Sequence, residues 1–179
     1  MLPWGHAAVG YLCYSFIVRV RDRRAPTGPA VLTLAVGTQL PDLIDKPLAW
    51  SLGILPSGRS LGHSLLFAVL LTIVVWVVAQ RYDRQREVSA LMVGHLLHVL
   101  ADSTPALIAG NWEELGSLLW PLTPVYQYTG EMDQSIIGFF LELDLTALPL
   151  PGVVLSLLAI GVWIFDGRPG IDVIRDRRW

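Results

Sequence analysis

The 179 residues include one cysteine, one lysine and four histidines. The lone Cys13, set in an apolar run, excludes a disulfide framework and any CxxC zinc site, and reads as a small packing residue. No HExxH or GxSxG occurs, which excludes a zincin-like centre and a nucleophile elbow. No internal repeat or low-complexity tract is present. The amino end, MLPWGHAAVGYLCYSF, has no basic residue ahead of its apolar stretch. It therefore lacks the positive region of a cleavable signal and is expected to stay in the mature protein. Basic residues are scarce outside three short clusters and the net charge is −2, so no nucleic-acid partner is expected.

Apolar residues are plentiful. They make up 53% of the chain, with a mean hydropathy of +0.53, well above a soluble globule of this size. The length predicts one domain, here a single integral membrane domain over 1–179. A first run, Leu2 to Val18, is just long enough to cross a bilayer. It ends in RVRDRR, whose Arg19, Arg21, Arg23 and Arg24 mark a cytoplasmic end. The second run, VLTLAVGTQL, is too short to span alone before it meets PDLIDKP, where Pro41 and Pro47 bracket Asp42, Asp45 and Lys46. A broken or re-entrant helix is expected there, because non-helical backbone at membrane depth needs protein or a polar cavity to receive it.

HSLLFAVLLTIVVWVVAQ is the cleanest span and stops at a second arginine cluster, RYDRQRE. The fourth run, Val88 to Ile108, leads into NWEELGSLLWPLTPVYQYTGEMDQS, a loop with Trp112, Trp120, Tyr126 and Tyr128 but no basic residue, as suits an outer interface. A last run from Phe139 to Phe165 carries Glu142 and Asp144, is broken by Pro149 and Pro151, and precedes the basic tail DGRPGIDVIRDRRW. Clusters after runs one, three and five predict an all-α, polytopic bundle of about five transmembrane helices in the plasma membrane. Its N-terminus is then outside and its C-terminus cytoplasmic.

The fourth run holds the stretch GHLLHVLAD. His95, His98 and Asp102, three and four residues apart, fall within roughly 60° on a helix. At ~1.5 Å per residue from the cytoplasmic end of each span, His6 lies ~20 Å up, Asp42 ~21 Å, His63 ~27 Å, His98 ~15 Å and Asp102 ~21 Å. Four segments thus deliver ionisable groups to one slab in the outer half of the bilayer. Charged side chains near the bilayer centre cost ~2.5–3.5 kcal/mol each on insertion scales, so several at one depth need a shared reason. A bound divalent cation supplies one, with His6, Asp42, His63, His98 and Asp102 as candidate ligands. Zinc is the first choice, and the mixed donor set also admits manganese or iron, as one or two ions.

The two carboxylates of PDLIDKP suit one ligand and one water-activating base, or a pair of bridged metals. Asp45 or His95 would handle the proton, His95 lying one turn below the main ligands. Arg59, at the outer end of its span, would hold an anionic head group through its forked donors. The stretch Pro56-Ser57-Gly58 with the later HxxxD is a partial match to membrane phosphatases that use a histidine nucleophile. Arg59 replaces that histidine, however, and Leu91-Met92 stand where Ser-Arg is required.

Taken in order, GHAAVG, LPDLIDKP, RSLGHSLLF, HVLAD and LLWP resemble the motifs of the YdjM-like family of predicted membrane-bound metal-dependent hydrolases. The likeness runs from His6 to Pro121. The family pattern of an N-terminal His, a PDxD-like element, an RGxxHS element and an HxxxD element falls on His6, on Asp42 with Asp45, on Arg59 with His63 and Ser64, and on His98 with Asp102. Two departures stand out. PDLID has one residue more than PDxD, which leaves open whether Asp42 or Asp45 is the second carboxylate, and RSLGHS lacks Gly after Arg. The resemblance implies metal-dependent hydrolysis, and the depth of the site adds membrane lipids and a lipid or lipid-linked phosphoester or acyl substrate. The alternatives are metal or proton transport, since intramembrane His and Asp also serve transporters, and a scaffold in which the metal is structural.

Overall fold

The computed structural model describes residues 2–130 and 150–176, together with Gly138 and Leu141. Among these there are seven α-helices and no strand, so the all-helical expectation holds. The order is α1 (Pro3–Asp22), α2 (Gly28–Gly37), α3 (Leu40–Lys46), a π-helical turn (Pro47–Ser51), α4 (Leu65–Arg81), α5 (Gln85–Ala109), a 3-10 helix (Trp112–Leu119), α6 (Leu150–Phe165) and α7 (Ile171–Asp176). The opening of the last predicted run, with Glu142, Asp144 and Pro149, lies outside the described residues.

Proline sets several boundaries. Pro3, Pro29 and Pro41 each sit in the first turn of a helix, where a missing N–H costs nothing. The second apolar run is broken as expected: α2 stops at Gly37, Thr38 and Gln39 intervene, and α3 starts at Leu40. Pro41 prevents a continuous helix, because it cannot donate back across the break.

The packing of α5 on α2 positions the site. A Cβ at Gly37 would lie 2.0 Å from the Leu91 carbonyl oxygen, and one at Gly94 would lie 2.6 Å from that of Leu34. Only glycine lets the two backbones meet this closely, a form of contact that membrane helices favour. Tyr11, Tyr14, Ala30, Val31, Leu34 and Ala90 form the apolar core where α1, α2 and α5 converge.

α6 is fastened to α1 at one end. The Asp166 carboxylate accepts hydrogen bonds from Tyr11 Oη (2.7 Å), Ser15 Oγ (2.6 Å) and Arg19 Nε (2.9 Å), with Arg19 Nη2 also in contact. Burial alone would raise the Asp166 carboxyl, but the bonds from Ser15, Tyr11 and Arg19 outweigh it and hold its pKa below the ordinary carboxylate value.

Burial runs opposite to that of a soluble globule. The interior holds His6, Thr38, Asp45, Ser57, Ser60, His63, Ser64, His95 and His98, while Val69, Leu70, Ile73, Val74, Val77 and Val78 of α4 and Leu157, Leu158 and Ile160 of α6 face outward. An exposed apolar surface this continuous needs a lipid or protein partner. Among the described residues, α5 alone is both long and apolar enough to cross a membrane; α4 and α6 are apolar but shorter, at 17 and 16 residues.

Candidate metal centre

Two histidines face one another at the heart of the molecule. His98 Nε2 lies 3.3 Å from His63 Nε2. Each ring is held from behind: His63 Nδ1 is 2.8 Å from Asp45 Oδ2, and His98 Nδ1 is 2.7 Å from the Thr38 carbonyl oxygen. A carboxylate and a carbonyl can only accept, so both Nδ1 atoms carry a proton, and when both rings are neutral both Nε2 atoms present lone pairs. Lone pairs facing at this distance repel unless something electron-poor lies between them.

Two carboxylates complete the arrangement. Asp42 Oδ1 is 3.7 Å from His98 Nε2 and 3.9 Å from His63 Nε2, and Asp102 Oδ2 is 3.6 Å from His63 Nε2 and 4.0 Å from His98 Nε2. One donor atom from each of Asp42, His63, His98 and Asp102 lies within 4.8 Å of the other three, so the group could hold a metal ion. Four donors at ~2.0–2.2 Å around a tetrahedral zinc are ~3.3–3.6 Å apart, close to the shortest separations here. Asp42 Oδ1 is buried and meets no hydrogen-bond partner, which is costly for a carboxylate oxygen unless a cation is its partner.

The local folding explains the placement. His98 and Asp102 are one turn apart on α5, Asp42 is in the first turn of α3, and His63 ends the turn before α4. That turn is shaped by Asp45, whose carboxylate accepts from the backbone N–H of Ser60 (2.7 Å), Gly62 (2.7 Å) and His63 (3.2 Å). A Cβ at Gly62 would lie 2.7 Å from the Pro41 carbonyl oxygen, so glycine is what allows the turn to lie on α3. Ser64 then caps α4, accepting from the Leu66 and Phe67 amides and donating to the Trp120 carbonyl at 2.6 Å.

The other candidates fall around this group. His6 stacks on His98 with ring centroids 3.8 Å apart, and its Nε2 lies 3.3 Å from Asp102 Oδ1, beside the four donors rather than among them. Asp45 has both oxygens engaged by the 60–63 turn and the His63 ring, so it orients His63 and does not face open space. His95 is fully buried with its ring 6.5 Å from that of Phe67, outside the four-residue group. Arg59 reaches inward, with Nη2 3.1 Å from Asp102 Oδ2 and Nη1 donating to Tyr128 Oη at 2.9 Å.

Several partners were not among the candidate site residues. Thr38 acts through its backbone carbonyl, for which only the helix break was a clue. Lys46 Nζ pairs with Asp42 Oδ2 at 2.6 Å. Tyr128, in the loop expected to be an interfacial anchor, donates to Glu114 Oε2 at 2.8 Å. Burial and that carboxylate push its phenol up to about 12. The loop lies over the 56–64 segment through these bonds and through Gln127 Nε2 donating to the Pro56 carbonyl at 2.9 Å.

A family model described as YdjM inner membrane protein matches residues 1–166. The chain belongs to the YdjM inner membrane protein family. No curated protein and no solved structure matches it. Family membership agrees with the outward apolar faces of α4 and α6 and gives the chain an inner-membrane setting.

Proposed function

We propose that this YdjM-family protein is a membrane-embedded, metal-dependent hydrolase. Asp42, His63, His98 and Asp102 would hold a divalent cation, with His6 beside Asp102 at its edge. The observation that carries the metal is the pair of facing Nε2 atoms, turned toward one another by Asp45 and the Thr38 carbonyl, each of which holds a proton on Nδ1. Such carboxylate and carbonyl partners behind ligating histidines are the usual supports of a metal site. Zinc suits two nitrogens and two oxygens, and manganese or iron is the alternative.

When bound, the cation would polarise a phosphoryl or acyl group and lower the pKa of a water molecule. The chain's residues do the rest. Asp45 keeps the His63 ring in one tautomer and orientation, and Thr38 does so for His98. Lys46 and Arg59 restrain the ligating carboxylates. His6 Nε2, beside Asp102, is the group best placed to move a proton at the edge of the site. This role fits His6 better than the buried His95 or the fully engaged Asp45.

The substrate is a lipid or a lipid-linked ester reached from the extracytoplasmic side. Support comes from the apolar outer surface, the family's membrane setting and the arginine clusters, which favour five crossings with the N-terminus outside and the C-terminus in the cytoplasm. The test is metal analysis of the purified protein together with turnover of a panel of phospholipids and acyl lipids. One ion per chain or more, lost in His98→Ala together with turnover, is expected. A protein without stoichiometric metal, or a His98→Ala variant that keeps it fully, overturns the reading.

A further inference from the structure

Each ligating carboxylate already has a cation of the protein's own. Lys46 Nζ is 2.6 Å from Asp42 Oδ2, and Arg59 Nη2 is 3.1 Å from Asp102 Oδ2. Asp45, the third carboxylate, is held by three backbone amides and His63. Three negative and two positive side chains, together with the amino-terminal ammonium that also acts on Asp102, leave the site about neutral, and a divalent cation would make it positive. Glu114 is set apart, since the neutral Tyr128 hydroxyl stands between it and Arg59. A net charge shielded from water is unfavourable, so a positive site selects a ligand of opposite charge.

Resting on the metal reading above, we infer that the group this site accepts is an anionic phosphodiester, and that Arg59 selects it over a neutral acyl ester. The charge of a phosphodiester resides on the oxygens of the scissile phosphorus itself, whereas an acyl ester has none at its reacting carbon. Arg59 touches a ligating carboxylate, so its donors are within reach of the same reacting group. Its side chain is 32% exposed, and its two contacts, to Asp102 and Tyr128, leave other guanidinium N–H groups for phosphate oxygens. The fork, and not charge alone, fits two oxygens of one phosphate.

Cobalt(II) in place of the native metal gives a test that needs no turnover, because its visible spectrum responds to what binds beside it. Dimethyl phosphate, a monoanionic diester, is titrated into the cobalt-loaded protein in micelles, with N-methylacetamide as the neutral carbonyl probe. Short-chain phosphatidylglycerol in the same micelles separates a membrane source from a soluble one, the tighter of the two phosphodiesters naming it. A saturable spectral change with the phosphodiesters and none with the amide is expected. Arg59→Gln should still load cobalt, yet bind dimethyl phosphate at least about tenfold more weakly than the parent, as loss of a charge-assisted hydrogen bond implies. Arg59→Lys should recover only part of that loss. An equal response to the amide, or full phosphate affinity in Arg59→Gln, overturns the inference and leaves the metal reading intact. Failure of the wild-type protein to bind cobalt removes both.

Discussion

His63 and His98 meet edge to edge, with Nε2 atoms 3.3 Å apart and rings inclined at 65°. Neither ring can turn away, because Asp45 holds one and the Thr38 carbonyl the other. The relationship sets what each nearby substitution should do.

Asp45→Asn keeps the size of the side chain but leaves one oxygen to serve four donors. Metal affinity should fall about 10- to 100-fold, the usual effect of altering a partner behind a ligating histidine. Stability should fall by ~1–3 kcal/mol through unpaired amides in the 60–63 turn. Competition with a chromophoric chelator measures the first and thermal unfolding in detergent the second. An unchanged chelator curve would mean that His63 does not depend on this carboxylate.

Gly37→Ala and Gly94→Ala each force a methyl group into opposing backbone at the α2–α5 crossing. Overpacking of this kind costs ~1–3 kcal/mol, and here it also moves Thr38 away from His98. Both variants should show a lower melting temperature and weaker metal retention, whereas Gly152→Ala, with nothing within 4 Å of the added carbon, should behave like the parent.

Asp166→Asn tests the clamp between α6 and α1, which is remote in sequence from every proposed ligand. It removes a charge that Arg19, Tyr11 and Ser15 all address, so the melting temperature should drop. Metal content per folded chain should stay at the parent value. Loss of metal in this variant would show that α6 matters to the site.

Much of the site was legible because its chemistry resides in side chains at helical spacing. His98 and Asp102 are four apart on one helix, and both contribute to the donor group. Asp42 and His63 could be added by depth, since ionisable groups in an apolar chain are too costly to be scattered. The roles were harder to read. Asp42 and Asp45 look alike in PDLIDKP, and only the fold shows that Asp45 turns toward the 60–63 backbone while Asp42 turns toward α5. Thr38 could not be found from residue type, because a backbone carbonyl is present at every position. The helix break at Pro41 was visible, while the crossing built on Gly37 and Gly94 was not, because glycine announces permissive backbone without naming the surface it will touch. The five crossings inferred from arginine placement rest on charge bias alone, since α5 is the one described helix that meets the length and hydropathy of a span.

Orientation has its own test. Fusing a fluorescent protein that matures only in the cytoplasm after Arg168 should give a bright cell, and fusing alkaline phosphatase there an inactive one. The reverse pattern would place the candidate site on the cytoplasmic side and exclude an extracytoplasmic substrate.

The four donor residues all occur before residue 103, and the last 77 positions supply none of them. On the proposed metal reading, a ribosome that has released α5 has therefore already delivered every one of these four donors, while α6 is still to be made. The donors would then meet first, with the Trp120 and Tyr128 contacts following and the Asp166 clamp closing last.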